Sequence, residues 1–281
     1  MARVVLTQPL PRVASLAARL SERGHEVLML PFSRLVAAGE AGEAAIDTTM
    51  RRLAAGEFDW VVFVSPASIA IAAPHLPKPW PARTGIAVVG PASRHALDDL
   101  GQALAGARII APEGPRYDAD ALVELPALQA PAGLRVLVLR GASGNDGWIE
   151  RLRQRGAAVE VCALYRREAV EPPAQACAQL AAWLAAVRSG QTGSFPAGPF
   201  LAGPFLAGPF LAGPFIVVTL IETVQRLERC LAQEGRLDQA HAAPVLTIHP
   251  RIEQALRAAG WRDVRLLAPG QQTLAAALES A

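Results

Sequence analysis

Several things are scarce in this sequence, and each scarcity excludes something. Cysteine occurs three times, at Cys162, Cys177 and Cys230. These form no CxxC pair and no even framework, so neither a zinc site nor a disulfide scaffold is expected. Charged residues make up 19% against 52% hydrophobic, which is ample material for a core and excludes a disordered chain. A net charge of +2 excludes a strongly basic nucleic-acid binder. Of 27 cationic residues only Lys78 is a lysine. Arginine pairs bidentately with carboxylates and would suit a polyanionic substrate. Base composition is the better account of the surface arginines, since Ala, Gly and Pro are also abundant, but Arg140 differs because it follows VLVL directly at a strand end. The five histidines (His25, His75, His95, His241, His249) lack metal-ligand spacing. There is no GxSxG elbow, no P-loop and no dinucleotide fingerprint. The N-terminus runs straight into a strand-like stretch, so no secretory signal is expected and the chain reads as cytoplasmic.

One segment is abnormally apolar. No residue from Thr192 to Ile221 is charged, which would flag a membrane span. Yet residues 197–215 repeat the unit AGPFL almost four times, and Pro199, Pro204, Pro209 and Pro214 each remove a backbone donor. A spanning helix must satisfy its own backbone, and a period of five matches neither helix nor strand. An extended, partly polyproline-II surface loop created by tandem duplication is expected, because loop closure costs little extra with length. A proline-rich docking segment is the alternative, although no PxxP is present.

The remainder alternates short Val/Ile-rich strands with amphipathic helices. RVVLTQP, then VASLAARLSERGHEV and the strand LMLPF, form a first unit. It is echoed 132 residues later by RVLVLRG and WIERLRQRGAAVEVCALY, which sets Gly24 on Gly156. DWVVFVSPASIAIA is echoed by FIVVTLIETVQRL. IAVVGPASRHALDDLG is echoed 159 residues later by VLTIHPRIEQALRAAG, which sets Gly101 on Gly260. Such alternation gives parallel sheets covered by helices on both faces, in two similar α/β domains.

Ligands of open α/β sheets lie beyond the carboxyl ends of the strands. The turns Gln8–Arg12, Ser65–Ser68, Gly90–Ser93, Arg140–Asp146, Thr219–Glu222 and His249–Arg251 are therefore the candidate site. RGASGNDG reads either as a nest of backbone amides for an anion or as a plain strand-to-helix loop. Ser65, Ser68, Ser93 and Ser143 are expected to be helix caps or hydrogen-bond donors rather than nucleophiles. Tyr165, one of two tyrosines, could donate a proton or simply edge a strand.

Taken in order, VVLTQP with LPF, DWVVFVSPAS, VVGPASRHALDDLG, VLVLRGASG with WIERLRQRGAAVEVCALYRRE, and VTLIETVQRL before HPRIEQALRAAGW resemble the uroporphyrinogen-III synthase family. The resemblance implies two α/β domains joined by two crossing strands, with a cleft between them. Domain A would be 1–34 plus 169–281, carrying the AGPFL repeat, and domain B 35–168. It implies cyclisation of the linear tetrapyrrole hydroxymethylbilane with inversion of ring D, giving uroporphyrinogen III and water, in haem biosynthesis. A monomer is implied, with no metal or organic cofactor, no nucleic acid and no membrane. Tyr165 matches the family tyrosine proposed as general acid. Ser65, Ser68, Gly90, Ser93, Arg140, Gly141, Thr219, His249 and Arg251 match its substrate-contacting turns. The chain departs from the family pattern at Gln8, Leu220, Ile221 and His249. A tetrapyrrole-binding module of the same fold that has lost catalysis is the alternative reading.

Overall fold

The computed structural model describes residues 2–9, 13–114, 116–187, 192–193, 210–211 and 214–267. The chain opens with β1 (Arg3–Leu6), α1 (Ala14–Glu22), β2 (Glu26–Met29), β3 (Ser33–Ala37) and α2 (Gly39–Ala54). Next come β4 (Trp60–Phe63), α3 (Pro66–Ala72), β5 (Gly85–Val88), α4 (Pro91–Asp98) and β6 (Ile109–Ile110). Two short helices, α5 (Ala119–Leu122) and α6 (Pro126–Gln129), precede β7 (Arg135–Gly141), α7 (Gly147–Gln154) and β8 (Ala158–Ala169). After α8 (Ala174–Ala185) come β9 (Thr192–Gly193), β10 (Phe210–Leu211), β11 (Phe215–Val217) and α9 (Ile221–Gln233). The described chain closes with α10 (Leu237–His241), β12 (Val245–Thr247), α11 (Pro250–Ala258) and β13 (Val264–Leu266).

These elements form two compact units, Met1–Arg34 with Glu168–Ala281, and Leu35–Arg167. The discontinuous unit holds a five-stranded sheet ordered β13-β12-β11-β1-β2, parallel throughout. Its strands are apolar on both faces because both faces are covered. Val4, Leu6, Val217 and Leu246 pack with Leu16 and Leu20 of α1. On the other face Val5, Ile216 and Val245 pack with Leu180, Leu227 and Leu256 of α8, α9 and α11.

The continuous unit holds a six-stranded sheet ordered β3-β8-β7-β4-β5-β6, with β8 through β6 parallel. Val61, Phe63, Leu137 and Leu139 line one face, and Trp60, Val62, Val136 and Val138 line the other. The period of two along each strand is thus matched by cover on both sides. The α/β class with parallel sheets flanked by helices is the one that the strand–helix alternation implied.

Three details differ from the sequence reading or extend it. The second strand begins at Glu26 and not at Leu28. Gly24, at φ +83°, takes the chain out of α1 in one step, so Glu26 already pairs with Arg3. Gly156, its counterpart, does the same after α7 at φ +92°. The absence of a disulfide is corrected: Cys177 on α8 and Cys230 on α9 are bonded, their Cα atoms 6.2 Å apart. Both helices cover the same sheet face, so residues 53 apart in sequence become neighbours. Cys162 remains free and buried, and burial pushes its thiol up, partly opposed by a hydrogen bond with Thr49. Of the AGPFL repeat, Phe210–Leu211 pairs antiparallel with Thr192–Gly193. Phe215, the last residue of the repeat, is buried and opens β11; the conformation expected for residues 197–209 and 212–213 lies outside the described residues, as does Leu10–Arg12 of the first turn. Among the described residues no helix is long and apolar enough to cross a membrane.

Candidate active site

In the continuous unit, three of the singled-out turns follow neighbouring strands at their carboxyl ends. Ser65 follows β4 and caps α3 with a reciprocal pair of bonds. The Ser68 N–H donates to Ser65 Oγ and the Ser65 N–H to Ser68 Oγ, both at 3.2 Å. The Ser68 hydroxyl also donates to the Ser65 carbonyl at 2.7 Å. Pro66 supplies the first helical position, where a missing N–H costs nothing. Both hydroxyls are spent on shaping the turn, and among the described residues neither bonds to a basic group. This is a cap, not a nucleophile.

Gly90 ends the β5 turn and precedes α4, where it offers no side-chain cap. The Arg94 N–H reaches the Gly90 carbonyl, and among the described residues the N–H groups of Ala92 and Ser93 have no partner. An eight-residue helix beginning with open donors attracts negative charge through its dipole and its free N–H groups. Ser93 is buried at the third helical position and is not the cap. Ser143 is exposed and caps nothing either, because α7 starts from Asp146.

Arg140 and Gly141 end β7. The Arg140 side chain is only 10% exposed, and its Nη1 lies 2.5 Å from the Asp146 carboxylate. Its Nε is buried with no hydrogen-bond partner among the described residues. Asp146 occupies the N-cap position of α7 but makes no capping bond, since its carboxylate turns back to Arg140. Asn145 takes over part of the cap by accepting the Gly147 N–H at 3.0 Å. The guanidinium therefore braces the 141–147 loop from beneath. The spacing of Arg140 and Asp146 around the glycines carried that signal, which the sequence reading overlooked.

Tyr165 on β8 pairs with Gly141 across an irregularity in register, and the Ala142 N–H bonds its carbonyl at 2.7 Å. Its side chain is buried against the glycine: a Cβ on Gly141 would stand 2.8 Å from Cε2 and 3.1 Å from Cζ. The phenol is thus held beside the β7 turn by its own strand and by the absence of a neighbouring side chain.

In the discontinuous unit the donors are arranged differently. Thr219 is half-buried after β11, and Leu220 stands at the N-cap of α9, where it cannot bond. Ile221 is 52% exposed. His249 caps α11 by accepting the Arg251 N–H on Nδ1 at 3.1 Å, which fixes the proton of the neutral ring on Nε2. His249 is exposed, but it is a helix cap rather than a bare turn residue. Thr7 donates to the Val217 carbonyl at 2.6 Å, and Gln8 beside it is buried. Among the described residues no group of three or more His, Cys, Asp or Glu is placed to hold a metal ion.

Each unit by itself supplies hydrogen-bond donors at its strand ends, mainly backbone N–H groups, and the continuous unit adds one positioned phenol. The family model of uroporphyrinogen-III synthase HemD matches residues 14–278. The chain belongs to that family. It is 24% identical to the uroporphyrinogen-III synthase of Escherichia coli K12 over 266 residues, and 27% identical to that of Salmonella typhimurium LT2 over 267, covering 94% of each chain in both cases. In fold it is similar to a mutant uroporphyrinogen III synthase of the extreme thermophile Thermus thermophilus, with a TM-score of 0.54 at 14% identity over 100% of this chain and 98% of the other. It is also similar to the uroporphyrinogen-III synthetase of Helicobacter pylori 26695, with a TM-score of 0.51 at 10% identity over 100% of both chains.

Proposed function

We propose that this chain cyclises hydroxymethylbilane with inversion of ring D, forming uroporphyrinogen III and releasing one water, as the uroporphyrinogen-III synthase of haem biosynthesis. The observation that carries this is the family match from residue 14 to residue 278, across both units. The chemistry of the strand ends supports it. A polycarboxylate substrate that closes readily on its own needs to be held and biased more than it needs to be attacked. Open N–H groups at the start of α4 and the braced 141–147 loop suit its carboxylates.

In this reading Tyr165 donates the proton that lets the substrate hydroxyl depart as water, a contribution of about 10²–10⁴ in rate. Ring D then closes through the position that yields inversion, by way of a spirocyclic intermediate, and loss of a proton restores the aromatic pyrrole. Ser65, Ser68, Gly90, Ser93, Arg140 and Gly141 shape one set of substrate contacts, the serines and Arg140 through the backbone they organise. Thr219, His249 and Arg251 offer a second set. The enzyme works on a small linear tetrapyrrole as a cytoplasmic monomer, without metal or organic cofactor.

The test is the isomer assay. Purified protein is given freshly generated hydroxymethylbilane, and the oxidised products are separated. Isomer III in excess is the expected result, and isomer I alone would overturn the assignment. The exposed Ile221 and the uncapped α9 favour one other reading, a module that binds tetrapyrrole without turnover, and isomer III in that assay excludes it.

A further inference from the structure

The second tyrosine, Tyr117, is outside everything assigned so far, and it lies at the same carboxyl end of the same sheet. β6 pairs with β5, and residues 111–118 leave its carboxyl end. The Tyr117 ring is laid against two glycines. Gly90 has an extended backbone, φ 171°, that any residue adopts. A Cβ there would nevertheless come within 3.0 Å of Tyr117 Cβ and 3.5 Å of Cγ and Cδ1. Gly114, at φ +85°, would place a Cβ 2.7 Å from the Tyr117 hydroxyl. Side chains are thus missing at both ends of the ring, where it needs the room. The next residue fixes the backbone: Asp118 caps α5 by accepting the Ala121 N–H at 2.7 Å. The ring is half-buried, and its hydroxyl makes no hydrogen bond to any described residue. Beside it at Gly90 begin the open N–H groups of Ala92 and Ser93.

We propose that Tyr117 is a substrate-positioning residue whose half-buried ring supports one pyrrole ring of the substrate beside the turn at Gly90. The proposal rests on the tetrapyrrole reading above. The two tyrosines flank the strand ends from opposite sides, Tyr165 against Gly141 of β7 and Tyr117 against Gly90 after β5, with β4 between. Two strand spacings separate those glycines, roughly 10 Å, a span that linked pyrrole rings bridge.

The test compares Tyr117→Phe with Tyr117→Leu, measuring kcat, KM for hydroxymethylbilane, and melting temperature. Removing the ring is expected to raise KM about 3- to 12-fold, the range of an aromatic contact, with kcat within about twofold. Tyr117→Phe is expected to keep the wild-type KM. An unchanged KM in the leucine variant overturns the proposal, and so does a KM rise equal in both variants. Should the leucine variant fail to fold, Gly90→Ala, which crowds the ring while keeping the tyrosine, takes its place: a raised KM supports the role and an unchanged one removes it. Fluorescence titration with uroporphyrin III separates this outcome from failure of the parent reading. If wild type turns nothing over, a Kd weaker by about 3- to 12-fold in Tyr117→Leu still supports the contact, and equal Kd values overturn it.

Discussion

Tyr165 fills the space that a side chain on Gly141 would occupy: a Cβ there would stand 2.8 Å from its Cε2. The two residues are also partners across β7 and β8. Two variants therefore probe one feature. Tyr165→Phe keeps the packing and removes the proton, so kcat is expected to fall about 10²–10⁴-fold while melting temperature holds. Gly141→Ala keeps the proton and displaces the ring, so kcat is expected to fall at least about tenfold, as misplacement of a reacting group does. Full activity in Tyr165→Phe would remove the phenol from the mechanism.

At the other end of the same sheet Gly85 lies beneath the Trp60 indole, and a Cβ would come to 2.4 Å from Cζ3. Trp60 is buried, with the Arg108 guanidinium 4.2 Å above its ring, so the indole has little freedom to move. Gly85→Ala is expected to destabilise by about 1–3 kcal/mol through overpacking, read as a lower urea midpoint with unchanged slope. Activity per folded molecule should not change, because the amino ends of the strands carry none of the proposed site.

The Cys177–Cys230 bond closes a loop of 53 residues that contains the whole AGPFL repeat. In the chain-entropy account, closing a loop of that length contributes roughly 4 kcal/mol. Reductant is expected to lower the melting temperature of the wild type. Cys177→Ser should start from that lowered value and respond no further. Equal melting temperatures with and without reductant would show that the bond contributes nothing.

Glu57 lies between Arg135 (2.8 Å) and Arg52 (3.0 Å), and Arg52 also pairs with Glu160. The hydrogen bond from Arg135, then that from Arg52, holds the Glu57 carboxyl below its ordinary value of 4.5. A carboxylate whose folded value is lowered contributes stability above the unfolded value and loses it as pH falls through the folded one. Wild type should thus exceed Glu57→Gln in stability at neutral pH. The gap is expected to close as pH falls below about 4.5. It should be small throughout, since all four groups remain open to solvent. Urea denaturation of both proteins across that range reads it.

How far the sequence reached depends on the kind of feature. Alternating strands and helices were legible because each strand is apolar on both faces, as at Trp60–Phe63 and Val136–Leu139. Turn chemistry was legible where Ser-Pro precedes a helix, as in Ser65-Pro66, but the cap that His249 gives α11 was not. Side-chain partners were less so. Asp146 sits where a cap belongs, yet its carboxylate goes to Arg140. The role of Gly90 depends on a tyrosine 27 residues further on, which nothing in its own neighbourhood of the sequence announces.

By itself the sequence determined local periodicity, and with it two parallel sheets whose carboxyl-end turns carry donors and little else. Periodicity acts over one or two turns of chain, which a linear reading captures. Only the tertiary structure decided which distant residues meet: Cys177 with Cys230, Tyr165 with Gly141, Tyr117 with Gly90. Those encounters depend on strand order and helix cover, where one ring or one missing Cβ settles the geometry, and no spacing along the chain encodes them.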